Sequence, residues 1–203
     1  VRPTPASISR ASIDAARRAV VGVQIGGPSG PRGLGFVVDP AGLVVTSSRL
    51  LQGNAPVEVT LATGQRLPVV IIARDTLSDV AILRVQASGL HAIALGESRS
   101  LRVGETVVAV GGAGEGESGV ATGVVMATSI ATGGDLALDL SPRLERTGSP
   151  VLNARGEVVG MSAGAGGSSP TLAVPVDRMK PMLRELGQKA ARGSVPALPG
   201  SAR

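Results

Sequence analysis

A chain of 203 residues is long enough for one sizeable domain or for two small barrels sharing an interface, and with Phe36 as its lone aromatic the core must be built from Val, Ile, Leu and Ala. The absence of cysteine and the single histidine, His91, exclude disulfides, thiol catalysis, thiolate metal sites and any His-rich centre, so neither metal nor cofactor is expected. A net charge of +5 without Trp, Tyr or a dense basic cluster in the body argues against nucleic acid as the partner.

The first five residues are Pro-marked and extended, and a short helix is expected over residues 9–19. Short Val- and Ile-rich runs follow, at 20–25, 35–38, 43–46, 57–61, 69–73, 80–85, 106–110, 120–127, 136–140 and 157–162, separated by Gly, Pro, Asn and Asp. That pattern is the mark of an all-β sandwich or barrel. His91 lies in Gly89-Leu90-His91-Ala92-Ile93, a loop entering a strand, and reads as an exposed or partly packed imidazole rather than a ligand. Gly114-Glu115-Gly116-Glu117-Ser118-Gly119 matches G-x-G-x-x-G in form, but a strand follows it and two glutamates would repel phosphate, so a surface turn is expected.

Two hairpins look alike. Asp39-Pro40-Ala41-Gly42 and Asn153-Ala154-Arg155-Gly156 each put Asp or Asn at the start of a turn and Gly three residues later, the chemistry of a type I turn closed by a left-handed glycine. The likeness suggests two related β units. Near the end, Asp177 is the expected N-cap of an amphipathic helix carrying Met179, Met182, Leu183 and Leu186 on one face, with Gly187 near its end. Those methionines are expected in the core. A Pro/Gly-rich, linker-like tail follows Arg192.

Charge is polarised. Arg2, Arg10, Arg17 and Arg18 stand against Asp14 at the start, and Arg178, Lys180, Arg184, Lys189, Arg192 and Arg203 against Glu185 at the end, which leaves the body mildly acidic. Basic ends of this kind suit an acidic protein surface or an anionic membrane surface, or are solvated tails. Arg2, Arg10, Arg17, Arg18, Lys189, Arg192 and Arg203 are therefore the candidate partner-binding residues. No apolar run approaches the roughly 18 to 20 residues needed to cross a bilayer. A start at Val1 rather than Met leads to the expectation of an upstream segment that was removed or not included and, if that was secretory, of a location outside the cytoplasm.

Seven pieces in register carry the functional reading: Gly33-Leu34-Gly35-Phe36, Thr46-Ser47-Ser48-Arg49-Leu50-Leu51, Ser78-Asp79-Val80-Ala81-Ile82-Leu83, Leu101-Arg102-Val103-Gly104-Glu105, Gly148-Ser149-Pro150-Val151-Leu152, Gly156-Glu157-Val158-Val159-Gly160-Met161 and Ala173-Val174-Pro175-Val176. Together they resemble the HtrA (Deg) family of trypsin-like serine proteases. The resemblance implies an all-β fold of two six-stranded barrels with a cleft between them, flanked by a short N-terminal and a C-terminal helix, and an extracytoplasmic, periplasmic location. The implied organisation is a basic arm over 1–18, the double barrel over 19–190 with its division near 95–105, and a tail over 191–203 without the peptide-binding PDZ domain common in the family.

Carried over by position, the family's histidine falls on Arg49, its aspartate on Asp79 and its serine on Thr147. Asp139 matches the aspartate upstream of the nucleophile, and Glu145 takes an oxyanion-hole position. A guanidinium has no lone pair to accept a proton, the extra methyl of threonine crowds attack, and a carboxylate at 145 would repel a developing oxyanion. These substitutions lead to the expectation that the chain is not an enzyme but a non-catalytic pseudoprotease, a scaffold or accessory subunit of a larger assembly. A peptide-binding or holdase module using the cleft is the alternative, and a Thr147-dependent hydrolase the remote one. Arg49 is expected either to pair with Asp79 across the cleft or to lie free on the surface.

Overall fold

A computed structural model describes residues 8–27, 29–30, 32–112, 119–128, 134–141, 147–163 and 170–191. Helix α1 (Arg10–Ala19) is capped by Ser9, whose hydroxyl accepts the Ser12 N–H, and runs directly into β1 (Val20–Ile25). The first barrel continues through β2 (Arg32–Asp39), β3 (Leu43–Thr46), β4 (Val57–Thr60), β5 (Arg66–Asp75) and β6 (Val80–Val85), which close in the order β1-β2-β3-β6-β5-β4. Residues between β6 and β7 make an isolated bridge, Leu95 to Val158, and one 3-10 turn, Ser98–Ser100. The second barrel is β7 (Thr106–Val110), β8 (Val120–Thr128), β9 (Leu136–Ser141), β10 (Pro150–Leu152), β11 (Val158–Ser162) and β12 (Thr171–Pro175), closing as β10-β11-β12-β9-β8-β7. The pairings between the barrel strands are antiparallel, and adding six to each strand of the first barrel reproduces the neighbours of the second.

The two barrels are thus related units, but not for the reason the sequence suggests. The look-alike turns do form as expected: in each, the side-chain oxygen of Asp39 or Asn153 accepts the N–H two residues on, and Gly42 and Gly156 adopt φ of +101° and +77°. They close β2–β3 in one barrel and β10–β11 in the other, which are not equivalent hairpins. Their likeness is shared turn chemistry, not shared position.

Period-2 alternation divides the apolar residues into three clusters. Val21, Val23 and Ile25 of β1 with Ala81, Leu83 and Val85 of β6 fill the first barrel, while Val107, Ala109, Leu138 and Val159 fill the second. Val20, Phe36, Val80 and Ile82, which point the other way, meet Val108, Val110, Leu152 and Val174 in a seam between the barrels. Phe36, fully buried, is the largest group in that seam. Ala16 and Ala19 of α1 pack into the same seam.

The C-terminal helix α2 (Lys180–Ala191) differs from expectation at both ends. Asp177 is not its N-cap but sits in a 3-10 turn, Val176–Arg178, where its carboxylate takes the Arg99 N–H and pairs with Lys180 at 3.0 Å. Gly187 lies within the helix, which continues to Ala191. The core face is as expected, with Met179 fully buried and Met182, Leu183 and Leu186 packed on the seam.

Candidate functional site

The site is built where β3 and β6 end beside each other. Thr46 pairs with Ala81, so the segment after β3 lies against Asp79 at the head of β6. Ser47 caps a 3-10 turn, Ser48–Leu50, which brings Arg49 back over that carboxylate. Asp79 adopts φ of +55°, a left-handed conformation that Asp tolerates better than most residues. The preceding turn is held by Asp75, whose carboxylate takes the Ser78 hydroxyl and the Leu77 N–H. Those bonds, the Ser78 hydroxyl first, hold its carboxyl below the ordinary range.

Asp79 is buried, and its two oxygens fare differently. Oδ1 accepts the Ser47 hydroxyl at 2.8 Å and the Arg49 backbone N–H at 2.9 Å. Oδ2 makes no hydrogen bond and faces Arg49 Nε at 3.5 Å, within ion-pair reach. The pairing expected between Arg49 and Asp79 therefore forms, yet the Arg49 side chain stays 63% exposed against 4% for Asp79. The carboxylate is seated by groups that would be present whatever side chain stood at position 49. Next to it, Arg74 of β5 donates from Nε to the Ser48 hydroxyl and from Nη2 to the Ser48 carbonyl, each at 3.2 Å. Ser47 and Arg74 were not among the candidates. Their signal is weak, a hydroxyl run before the turn and an arginine at a strand end.

The opposite wall comes from the second barrel. The Thr147 carbonyl accepts the Leu34 N–H at 2.8 Å, and the Leu34 carbonyl in turn accepts the Thr46 hydroxyl at 2.7 Å. Leu34 of β2 thus ties the approach to β10 to the end of β3. Gly148 follows at φ +95°, where a Cβ would lie 1.8 Å from the Leu34 carbonyl oxygen, so no other residue fits without moving the strand. The half-buried Thr147 side chain donates to the Ala163 carbonyl at 3.4 Å, and among the described residues neither Arg49 nor Asp79 bonds its hydroxyl. Glu145 lies outside the described residues.

The other sequence candidates are scattered. Asp139 is exposed on β9 and His91 is exposed in the inter-barrel segment. Arg10 pairs with Asp14 at 4.0 Å and Lys189 with Glu185 at 2.7 Å, each within its own helix, while Arg17 is half-buried and Arg18 exposed. Arg2, Arg192, Arg203 and the glycine run at 114–119, apart from Gly119 itself, fall outside the described residues. No group of acidic or histidine side chains that could hold a metal occurs among the described residues, and no helix among them is long and apolar enough to cross a membrane.

The trypsin-like peptidase domain family matches residues 33–161, a span that includes Arg49, Asp79 and Thr147. The chain belongs to that family. Its similarity runs to the HtrA branch: it is 32% identical over 173 residues to the mitochondrial serine protease HTRA2 of Drosophila pseudoobscura pseudoobscura and 31% identical over 173 residues to that of Drosophila virilis. Each match covers 80% of this chain but only 40% and 41% of the relative, so the chain spans less than half the length of these curated relatives.

These matches correct the expectation that the chain is not an enzyme, because the matched domain is a peptidase domain and the relatives are named serine proteases. The expectation was drawn from replaced side chains at three positions. A replacement identifies a group that cannot carry a step; it does not show that no other group carries it.

Proposed function

We propose that the domain acts on polypeptide, holding an extended segment in the cleft between its barrels beside Thr147, as a protein-binding subunit of a larger assembly. The supporting observation is the convergence on Leu34, which bonds Thr147 on the approach to β10 and Thr46, the residue before Ser47, at the end of β3. Membership of a peptidase family supports polypeptide as the ligand class. Peptide-bond hydrolysis, the activity in the relatives' name, belongs to the same reading, with Thr147 at the nucleophile position and Asp79 at that of the orienting carboxylate. The Thr147 proton then needs an acceptor other than Arg49, whose guanidinium offers no lone pair.

The test is titration of a fluorescently labelled unstructured polypeptide, with cleavage followed for wild type and Thr147→Ala. Saturable binding supports the reading and its absence overturns it. Cleavage lost in Thr147→Ala assigns the nucleophile, whereas equal rates remove Thr147 from that role.

The polarised charge favours a second reading of the assembly contact, in which the basic ends meet an acidic protein or an anionic membrane surface. Co-sedimentation with anionic vesicles that is lost at high salt supports the membrane. We place this assembly outside the cytoplasm, in the bacterial periplasm, on the family resemblance, although the matched relatives are mitochondrial by name.

A further inference from the structure

We propose that Arg49 and Arg74 form a carboxylate-binding site on the first-barrel wall of the cleft, selecting polypeptides that present an acidic side chain or a free C-terminus there. The proposal rests on the polypeptide-binding reading above. A guanidinium is planar and can engage carboxylates along more than one edge. In Arg49 the Nε side is turned to Asp79 Oδ2 at 3.5 Å, while the side chain is 63% exposed and donates no hydrogen bond to any described residue. The edge formed by the two terminal nitrogens is therefore open to a ligand, and Asp79 restrains the group from behind. Arg74 spends its donors on the neutral hydroxyl and carbonyl of Ser48, and no carboxylate among the described residues lies within ion-pair reach of it. Asp75, its neighbour in sequence, is engaged in the β5–β6 turn. Arg49 and Arg74 thus stand on either side of Ser48, and among the described residues the carboxylate that either guanidinium pairs with is Asp79, through Arg49 Nε. A ligand carboxylate would supply a planar acceptor for the open edge of Arg49.

The experiment uses one unstructured peptide sequence in three forms: an internal Glu with an amidated C-terminus, Gln in its place with a free C-terminal carboxylate, and Gln with the amide. Wild-type protein is expected to bind one of the first two about tenfold more tightly than the third, and which one identifies the source of the carboxylate. Arg49→Ala should abolish the preference. Arg49→Lys should keep part of it, since an ammonium lacks the fork, and Arg74→Ala should lose a smaller part. Equal affinity of wild type for all three peptides overturns the carboxylate site and leaves polypeptide binding standing, as does a preference that survives Arg49→Ala intact. Failure to bind any of the three overturns both.

Discussion

On the first-barrel wall of the cleft, Asp79 is buried and held by a hydroxyl and a backbone N–H at 2.8 and 2.9 Å, with a charged side chain 3.5 Å from its second oxygen. On the second-barrel wall, the Thr147 side chain makes a single 3.4 Å bond among the described residues, and the order there resides in backbone contacts to Leu34 and in Gly148. The two walls separate side-chain chemistry from architecture in different ways. The first should keep its shape when the residue at 49 changes, because that residue holds Asp79 Oδ1 through its backbone N–H. The second keeps its shape only while the residue after Thr147 has no Cβ.

Perturbations of this contrast can be ranked by expected size. Phe36→Ala empties the seam that sets the two walls against each other, and the unfolding free energy should fall by about 3–5 kcal/mol. Gly148→Ala attacks the second wall directly and should cost about 3 kcal/mol, roughly 6–12 °C in thermal midpoint. A midpoint within a degree of wild type would mean that the strand yields to a Cβ there. Asp79→Ala strands the Ser47 hydroxyl, leaves the Arg49 N–H only its 3.3 Å bond to Ser47 Oγ, and should cost about 1–3 kcal/mol. Arg49→Ala removes an ion pair exposed on the arginine side alone and leaves the buried Asp79 with its two Oδ1 bonds, so the loss in unfolding free energy should be about 1 kcal/mol, below that of Asp79→Ala. A loss as large as that of Asp79→Ala would show that the guanidinium, not the backbone, holds the carboxylate.

A pH experiment probes the contacts of Asp177 with Arg99 and Lys180. Burial pushes Asp177 up, but its bonds to Lys180 and to the Arg99 N–H prevail and hold it below the ordinary carboxylate range. A carboxyl depressed in the folded state contributes stability that is complete above about pH 5 and disappears as pH falls through its folded value. The thermal midpoints of wild type and Asp177→Asn should therefore differ by a constant amount at neutral pH and converge in acid. A gap that persists unchanged to pH 2 would remove Asp177 from that role.

Much of the fold is legible because its strands alternate: β1, β3, β6 and β7 carry the bounds that their Val and Ile spacing predicts. β10 and β12 are absent from the strand pattern, since Pro150-Val151-Leu152 and Thr171–Pro175 are short, almost wholly buried and touch proline, and so show little alternation. Asp177 is misread as a cap because an acid before a helix satisfies the capping rule, while its partner Arg99 is distant in sequence. At the site, register alone places positions 49, 79 and 147. What seats Asp79 is a hydroxyl and a backbone N–H brought in by a turn, which residue identity does not encode. Arg74 reaches Ser48 through strand pairing, and that too is a property of the folded chain.

Because the chain has no cysteine, Thr147→Cys introduces a unique thiol into the cleft, and Val103→Cys places one at a surface position that is 67% exposed. Alkylation rates measured with and without saturating unstructured polypeptide test directly whether the segment lies between the barrels. The account predicts that polypeptide slows alkylation of Thr147→Cys several-fold and leaves Val103→Cys unchanged. Equal rates with and without polypeptide at position 147, under conditions where binding is independently saturated, would contradict it.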